Sequence, residues 1–344
     1  MEFKNSISII IVNYNGKDFL LNCLESIFTC NYKNFEVILV DNKSTDNSSD
    51  LAKKKFPKIK VVYNKNNLGA SGRNSGILKA TGEFIVLLDS DTIVSSNWLQ
   101  EFLNSYEKYG YGLYQGKILF MDEPEKINST GCMLNIFGFS FARGSGEIDK
   151  GQYDDKFKIN FPASTCAFMP RNIFEKIGLF DIEFFAYVED TDFGWRALMQ
   201  NISSYFVPKV IVFHKGSPNT AWSSKKFYLL ERNRQICLHT NFSKKSFWKL
   251  MPFLIIFEIG TSLYYLRKGM FIEKLLAYWY IIKHQSYLSK RYKNILSKRT
   301  VTDKDVTSQF SDEIWVPKDV IKKSSNSFLN KFIEKFSKYA RSVL

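Results

Sequence analysis

The chain has 344 residues, 45% hydrophobic and 16% aromatic, which is enough to bury one large core or two smaller ones and excludes a disordered polypeptide. Its net charge of +14 is unevenly placed: residues 215–344 hold 25 Lys/Arg against 9 Asp/Glu, whereas residues 1–214 hold 23 against 25. The division describes a near-neutral part joined to a basic, aromatic part suited to anionic lipid or phosphate, with a solvated basic face as the alternative.

Five cysteines, Cys23, Cys30, Cys132, Cys166 and Cys237, form an odd, scattered set without Cys-x-x-Cys spacing, so neither a disulfide framework nor a zinc site is expected and a reducing compartment fits. The N-terminal run MEFKNSISIIIVNYNG has a short apolar core and no small-residue cleavage site, which is unlike a signal peptide.

Residues 7 to 13 are β-branched and apolar, and Phe19, Leu20, Cys23, Leu24, Ile27 and Phe28 then follow at helical spacing. The strand-then-helix unit recurs. FEVILVD at 35–41 precedes a helix to about residue 56, KIKVVYN at 58–64 precedes a glycine-rich turn and a helix, and EFIVLLD closes the series at 83–89. Strands that are apolar throughout are expected where helices cover both faces of a sheet, so residues 1–110 read as a doubly wound, mostly parallel α/β layer.

Ligands of such sheets bind beyond the carboxyl ends of the strands. The polar clusters Asn13-Tyr14-Asn15, Asp41-Asn42, Asn66-Asn67-Leu68-Gly69 and Asp89-Ser90-Asp91 all fall there. Asp89 and Asp91, two residues apart after an apolar strand, are placed to hold one oxygen-seeking cation, Mg2+ or Mn2+, together with a diphosphate. Arg73 and Asn74 lie on the turn into a helix, where an N-terminus and a guanidinium can face phosphate or a sugar.

Residues 111–163 read as acceptor-side structure. A helix from about Val188 to Gln200 follows, and then a strand that delivers His214. From Lys215 basic and aromatic residues pair. The apolar stretches at 251–266 and 271–282 are each shorter than the roughly 18 to 20 residues of a membrane span, and both carry charge, so interfacial helices are expected. The final segment, 327–344, puts Phe328, Leu329, Phe332, Ile333 and Phe336 on one helical face, with lysines elsewhere. That face fits a membrane surface, the protein's own core or a subunit interface in a homo-oligomer.

Several ordered motifs, SIIIVNYNG at 8–16, VILVDNKSTDNS at 37–48, NNLGASGRNSGI at 66–77, LLDSDTIV at 87–94 and GLFDIEFFAYVEDTDFGWRA at 178–197, resemble the family-two inverting glycosyltransferases of the GT-A fold, especially the rhamnosyltransferase-like subgroup of polysaccharide assembly. The resemblance implies a GT-A domain over 1–240, divided into a nucleotide-binding half (1–110) and an acceptor half (111–240), with a helical basic extension over 241–344. It implies that Asn13, Tyr14, Asn15 and Asp41 hold the base and ribose of a UDP- or dTDP-sugar. Asn67, Arg73, Asn74 and Asp89 would line the donor site, and Asp91, then Asp89, would bind metal. Asp190 would take the acceptor proton, Trp195 would wall a pocket, and His214 would complete the metal shell or touch diphosphate. Tyr228, Arg232, Asn233 and Arg234 would meet phosphates or a lipid-linked acceptor. Asn47 departs from the pattern, standing where glycine is common.

On this reading the chain is a divalent-metal-dependent glycosyltransferase acting on a glycan or lipid-linked acceptor from the cytoplasmic face of an anionic membrane. The competing readings are a sugar-nucleotide-forming nucleotidyltransferase, whose glycine- and basic-rich loop after the first strand is missing, and a non-catalytic membrane adaptor. No nucleic-acid partner is expected, since no nucleic-acid motif is visible.

Overall fold

The structure is a computed structural model that describes residues 5–216, 223–314 and 326–344. The first elements are β1 (Ile7–Asn13), α1 (Leu20–Phe28), β2 (Phe35–Asp41), α2 (Ser48–Lys55), β3 (Lys60–Tyr63), a 3-10 turn at Gly69–Gly72 and α3 (Arg73–Ile77). They continue with β4 (Phe84–Asp89), β5 (Thr92–Val94), α4 (Trp98–Tyr109), β6 (Gly112–Phe120), β7 (Ile127–Ser129), β8 (Cys132–Leu134), β9 (Ser140–Ala142) and β10 (Lys158–Ile159). Then come β11 (Cys166–Pro170), α5 (Ile173–Ile177), α6 (Glu189–Leu198) and β12 (Ser203–His214). The remainder is helical: α7 (Ser224–Asn241), α8 (Lys244–Arg267), α9 (Phe271–Lys283), α10 (Gln285–Lys298), α11 (Asp303–Thr307) and α12 (Asn326–Ser342). The chain forms two compact units, the first built from residues 1–132, 142–194 and 202–220, the second from 133–141, 195–201 and 221–344.

In the first unit, among the described residues, ten strands form one sheet in the order β10-β12-β6-β11-β4-β1-β2-β3, with β5 joined to β12 and β7 to β6. The half made of β3, β2, β1 and β4 is parallel, as the uninterrupted apolar runs lead one to expect. Beyond it, β11 runs antiparallel to both β4 and β6, so the sheet as a whole is mixed rather than mostly parallel. Register aligns the functional ends: Asn13 lies opposite Asp41, and Val12 opposite Asp89.

The core under this sheet is fully buried. Ile9 and Ile11 of β1, Leu20 and Leu24 of α1 and Trp98 and Phe102 of α4 belong to one apolar cluster. Phe168 anchors its centre, stacked on Phe84 at 4.9 Å and on Phe102 at 5.1 Å, with Tyr114 edge-on at 5.9 Å.

All five cysteines are free and buried. Asn47, at the start of α2, takes a left-handed φ of 59°, which asparagine tolerates far better than most side chains, so it serves where glycine is common.

In the second unit, Arg234 of α7 donates to Glu231 and, at 2.6 Å, to Glu258 of α8. Lys274 of α9, fully buried, donates to the same Glu258 at 2.7 Å. A buried charge left without such partners would be strongly destabilising, so this cluster fixes how α7, α8 and α9 meet.

One expectation changes here and one open alternative is decided. The apolar stretch at 251–266 belongs to a 24-residue helix, because Ser243 caps it, accepting from the Ser246 amide, and residues 244–250 extend it; by length and composition alone α8 is long and apolar enough to cross a membrane. The face of α12 packs on its own unit: Phe336 stacks on Phe137 at 5.5 Å, Ser337 accepts from Asn135 at 3.0 Å, and Arg341 donates to the carbonyls of Thr307 and Phe310. The side chains of Phe328 and Leu329 lie outside the described residues.

Phe168→Ala removes the ring on which three aromatic contacts converge and is expected to cost about 3–5 kcal/mol. A urea unfolding series checks this, and an unchanged midpoint would contradict the packing described.

Candidate active site

Side chains from five strand ends and the start of α6 meet in the first unit. At the β1 and β2 ends, Asn13 donates to Ser48 at 2.8 Å, to Ser49 at 3.0 Å and to Ser44 at 3.2 Å, while Asp41 accepts from Ser49 at 2.6 Å and from the Ser44 amide at 3.0 Å. Asn13 and Asp41 are buried in this polar knot, and the side-chain Oδ1 of Asn13 within it has no partner. Above it Tyr14 is exposed, and Asn15, in a left-handed conformation, accepts from the Thr45 amide at 2.8 Å.

The loop after β3 is drawn against residues 180–185. Gly69 has φ +58°, and a Cβ there would sit 2.0 Å from the Phe185 carbonyl oxygen, which accepts from the Ala70 amide. Asn67 accepts from the Gly69 amide at 2.8 Å and so shapes the turn. Asn74 exchanges hydrogen bonds with both backbone groups of Phe180, at 2.8 and 3.0 Å, which spends its amide on tethering α3 rather than on a ligand.

Arg73 is buried and links two acidic groups, donating to Asp89 at 2.8 Å and lying 3.7 Å from Glu189. Thr165, just before β11, donates to the other Asp89 oxygen at 2.9 Å. Its neighbour Ser164 donates to Asp190 through its amide at 3.0 Å and through its hydroxyl. Two consecutive residues thus hold Asp89 and Asp190 from opposite parts of the sequence.

β12 returns along β5, pairing His214 with Thr92, and the Lys215 amide donates to the Asp91 carbonyl. This brings His214 Nε2 to 3.4 Å from Asp91, and Asp89, Asp91 and His214 each offer one ligand atom within 4.8 Å of the others. Two carboxylates and an imidazole fit a divalent cation such as Mg2+ or Mn2+ by chemistry and by spacing. The Asp89 oxygens are already engaged by Arg73 and Thr165, which leaves Asp91 as the principal candidate oxygen ligand.

The electrostatics differ sharply within a few ångströms. Burial pushes the Glu189 carboxyl up to about 8, with Asp190 adding to the rise and Arg73 opposing it. Burial also raises Asp190, against the Arg73 charge and the two hydrogen bonds from Ser164. Those bonds favour an ionised Asp190, whereas Glu189 Oε2 is buried without a partner, so Glu189 carries the shared proton near neutrality. Asp89 is held below its ordinary value, because the Arg73 and His214 charges outweigh burial. His214 is raised: burial works against its charge, and the hydrogen bond and charge of Asp91 prevail.

The approach to Glu189 and Asp190 is strained. Phe185, Tyr187 and Val188 all have positive φ, and for β-branched Val188 this is a rare conformation that surrounding contacts must enforce.

Two residues expected to contact the donor or acceptor are engaged within the second unit. Trp195 is fully buried in the second unit, edge-on to Phe242 at 5.0 Å and to Phe310 at 5.2 Å, so its ring packs a core instead of walling a pocket. Arg232, also of the second unit, is buried, donates to Asn233 at 2.8 and 2.9 Å, and has Tyr280 at 5.0 Å and Tyr228 at 5.6 Å from its guanidinium. Conversely, Ser164, Thr165 and Glu189 emerge as site residues. Only the adjacency of Glu189 to Asp190 was visible in the sequence, since nothing local marks Ser164 and Thr165.

The site thus combines a mixed sheet, an Asp-x-Asp strand end, a nearby histidine and a half-buried acidic pair at a helix start. Residues 8–178, about half of the chain, match the family model described as glycosyl transferase family 2, and the chain belongs to that family. It is 36% identical over 175 residues to a poly(ribitol-phosphate) beta-glucosyltransferase of Bacillus spizizenii, covering 45% of this chain and 27% of that protein. It is 26% identical over 242 residues to a dolichyl N-acetyl-alpha-D-glucosaminyl phosphate 3-beta-D-2,3-diacetamido-2,3-dideoxy-beta-D-glucuronosyltransferase of Methanococcus voltae, covering 65% of this chain and 70% of that one. The chain spans between 20% and 41% of the length of three other curated glycosyltransferases it resembles at 30 to 34% identity. Its fold matches a crystal structure of GalNAc-T7 with UDP, GalNAc and Mn2+ at a TM-score of 0.58 and 17% identity, covering 72% of this chain and 51% of that one.

Because Glu189 has a folded-state value of about 8 against an ordinary 4.5, the folded protein binds the extra proton and loses stability as pH rises from 4.5 through 8. Glu189→Gln is expected to flatten that decline. Thermal midpoints measured across this range in chelator check it; parallel curves for the two proteins would refute the assignment.

Proposed function

We propose that the chain is an inverting, divalent-metal-dependent glycosyltransferase that moves a sugar from a UDP- or dTDP-sugar to a hydroxyl of a glycan acceptor. The observation that carries this reading is the placement of Asp89 and Asp190 on the consecutive residues Thr165 and Ser164, with Arg73 between Asp89 and Glu189. That arrangement puts a candidate cation site and a candidate base next to one another.

Single displacement with inversion needs a base opposite the departing diphosphate. Asp190 fits, since its half-buried carboxylate, raised by burial, accepts two hydrogen bonds from Ser164 that favour its ionised form, while burial pushes the neighbouring Glu189 up to about 8. It takes the acceptor hydroxyl proton as that oxygen bonds to the anomeric carbon and the bond to diphosphate breaks. A divalent cation held by Asp91, His214 and secondarily Asp89 supplies charge neutralisation at the departing diphosphate when bound. Arg73 adds a fixed positive charge beside the same groups, and the Asn13–Asp41 knot with exposed Tyr14 offers hydrogen bonding and a ring face for base and ribose.

UDP and Mn2+ in the GalNAc-T7 structure favour a uridine donor and Mn2+, with Mg2+ as the other candidate. Rhamnose, galactose, glucose and an N-acetylhexosamine all remain candidate sugars. The dolichyl-phosphate substrate in the name of the Methanococcus voltae relative favours a lipid-linked acceptor, reached by a cytoplasmic protein peripheral to the inner face of the cell membrane.

Asp190→Asn is expected to keep Mn2+ and UDP binding by calorimetry while lowering transfer by about 10²- to 10⁴-fold. Asp91→Ala should weaken both binding and transfer. Diphosphate release from a panel of sugar nucleotides supplies the activity readout, and undiminished turnover in Asp190→Asn would remove that residue from its role.

A further inference from the structure

In the second unit, α8 turns an unbroken apolar stripe to solvent. Trp248, Ile255, Ile256, Ile259, Leu263 and Leu266 are all exposed, Leu263 at 65%, and they recur at the three-to-four residue spacing of one helical face. α9 does the same with Ile272, Leu275, Leu276, Trp279 and Ile282. Between them lies an open groove of about 620 Å³, lined by residues that include Ile255, Ile259, Leu263, Leu275 and Ile282. Soluble proteins rarely leave so large an apolar surface uncovered.

Charge decides what covers it. α8, α9 and α10 contain ten Lys/Arg against two Glu. Lys244, Lys245 and Lys249 are exposed at the start of α8, Arg267 and Lys268 at its end, and Lys283 at the end of α9. Of the two acids, Glu258 is spent on Arg234 and Lys274, and Glu273 is half-buried. An apolar stripe with cations at its ends and tryptophans on its exposed face is what the boundary between lipid headgroups and acyl chains selects. A second copy seated on the same face would set this basic rim against itself. Spanning by α8 would have to pull Glu258 away from Arg234 and Lys274, so the helix stays in its bundle and offers only its outer face.

We propose that the outer faces of α8 and α9 dock this protein on an anionic phospholipid bilayer, lying in the interface, and that α12 takes no part in the insertion. Among the described side chains of α12, Phe336 packs on Phe137 and Phe253 and Ile333 and Ala340 are buried, so that Phe332 and Tyr339, two turns apart, are its exposed large apolar residues and form no continuous stripe like those of α8 and α9. The proposal agrees with a lipid-linked acceptor but rests on separate observations.

The test uses the full chain with vesicles of phosphatidylcholine alone and of phosphatidylcholine mixed with phosphatidylglycerol. Flotation is expected with the anionic vesicles, weakened by high salt. Brominated phospholipid should quench tryptophan fluorescence, and less so in Trp248→Phe and Trp279→Phe. The double variant Ile259→Asp with Leu263→Asp should bind anionic vesicles at least about tenfold more weakly with unchanged circular dichroism and donor hydrolysis, whereas Phe332→Asp on α12 should bind normally. The proposal is overturned if the wild-type chain stays off anionic vesicles, if its tryptophans are not quenched, or if light scattering shows a dimer that Ile259→Asp with Leu263→Asp dissociates in place of any vesicle binding. Lost vesicle binding with intact donor hydrolysis leaves the glycosyltransferase reading standing, and intact binding without transfer by any donor leaves the docking face standing.

Discussion

Three carboxylates brought below the surface beside one another repel, and burial makes each ionised form costly. Glu189, Asp190 and Asp89 nevertheless meet in the first unit, and Arg73 is the cation that allows it, bonded to Asp89 and near Glu189. The remaining strain is relieved by protonation, with Glu189 carrying the proton while Ser164 keeps Asp190 as an acceptor. The acidic cluster therefore runs from the half-buried Asp91–His214 pair to the candidate base beside Glu189.

The sheet topology serves this arrangement. The parallel half delivers Asn13, Asp41 and Asp89 in one row because β1, β2 and β4 are in register. The antiparallel strands do what a purely parallel sheet would not: β11 brings Ser164 and Thr165 alongside the end of β4, and β12 carries His214 back beside Asp91. Left-handed residues just before Glu189 turn the chain sharply so that α6 starts at the site, which places backbone strain where a fixed geometry is needed.

The second unit follows a different economy. Its interior holds a buried charge cluster around Glu258 instead of a purely apolar seam, and its apolar surplus faces outward on α8 and α9. Helices that would ordinarily turn their hydrophobic sides to one another are here pinned by ion pairs, which leaves a broad apolar face turned outward.

Apolar runs ending in polar clusters, with the spacing of Asp89 and Asp91 and the acidic start of α6, determined the α/β class, the end of the sheet that holds the candidate site and the residues to examine for chemistry, because strand periodicity and turn polarity are local properties. Asn74, Trp195 and Arg232 show where local reading stops: each stands in a motif, yet a backbone exchange with Phe180, a core of Phe242 and Phe310, and the rings of Tyr228 and Tyr280 claim them. Ser164 and Thr165 carry no local mark at all. Their role, like the docking of α12 and the outward face of α8, was decided only by tertiary structure, since each depends on which distant strand or helix arrives alongside and no short stretch of sequence encodes that pairing.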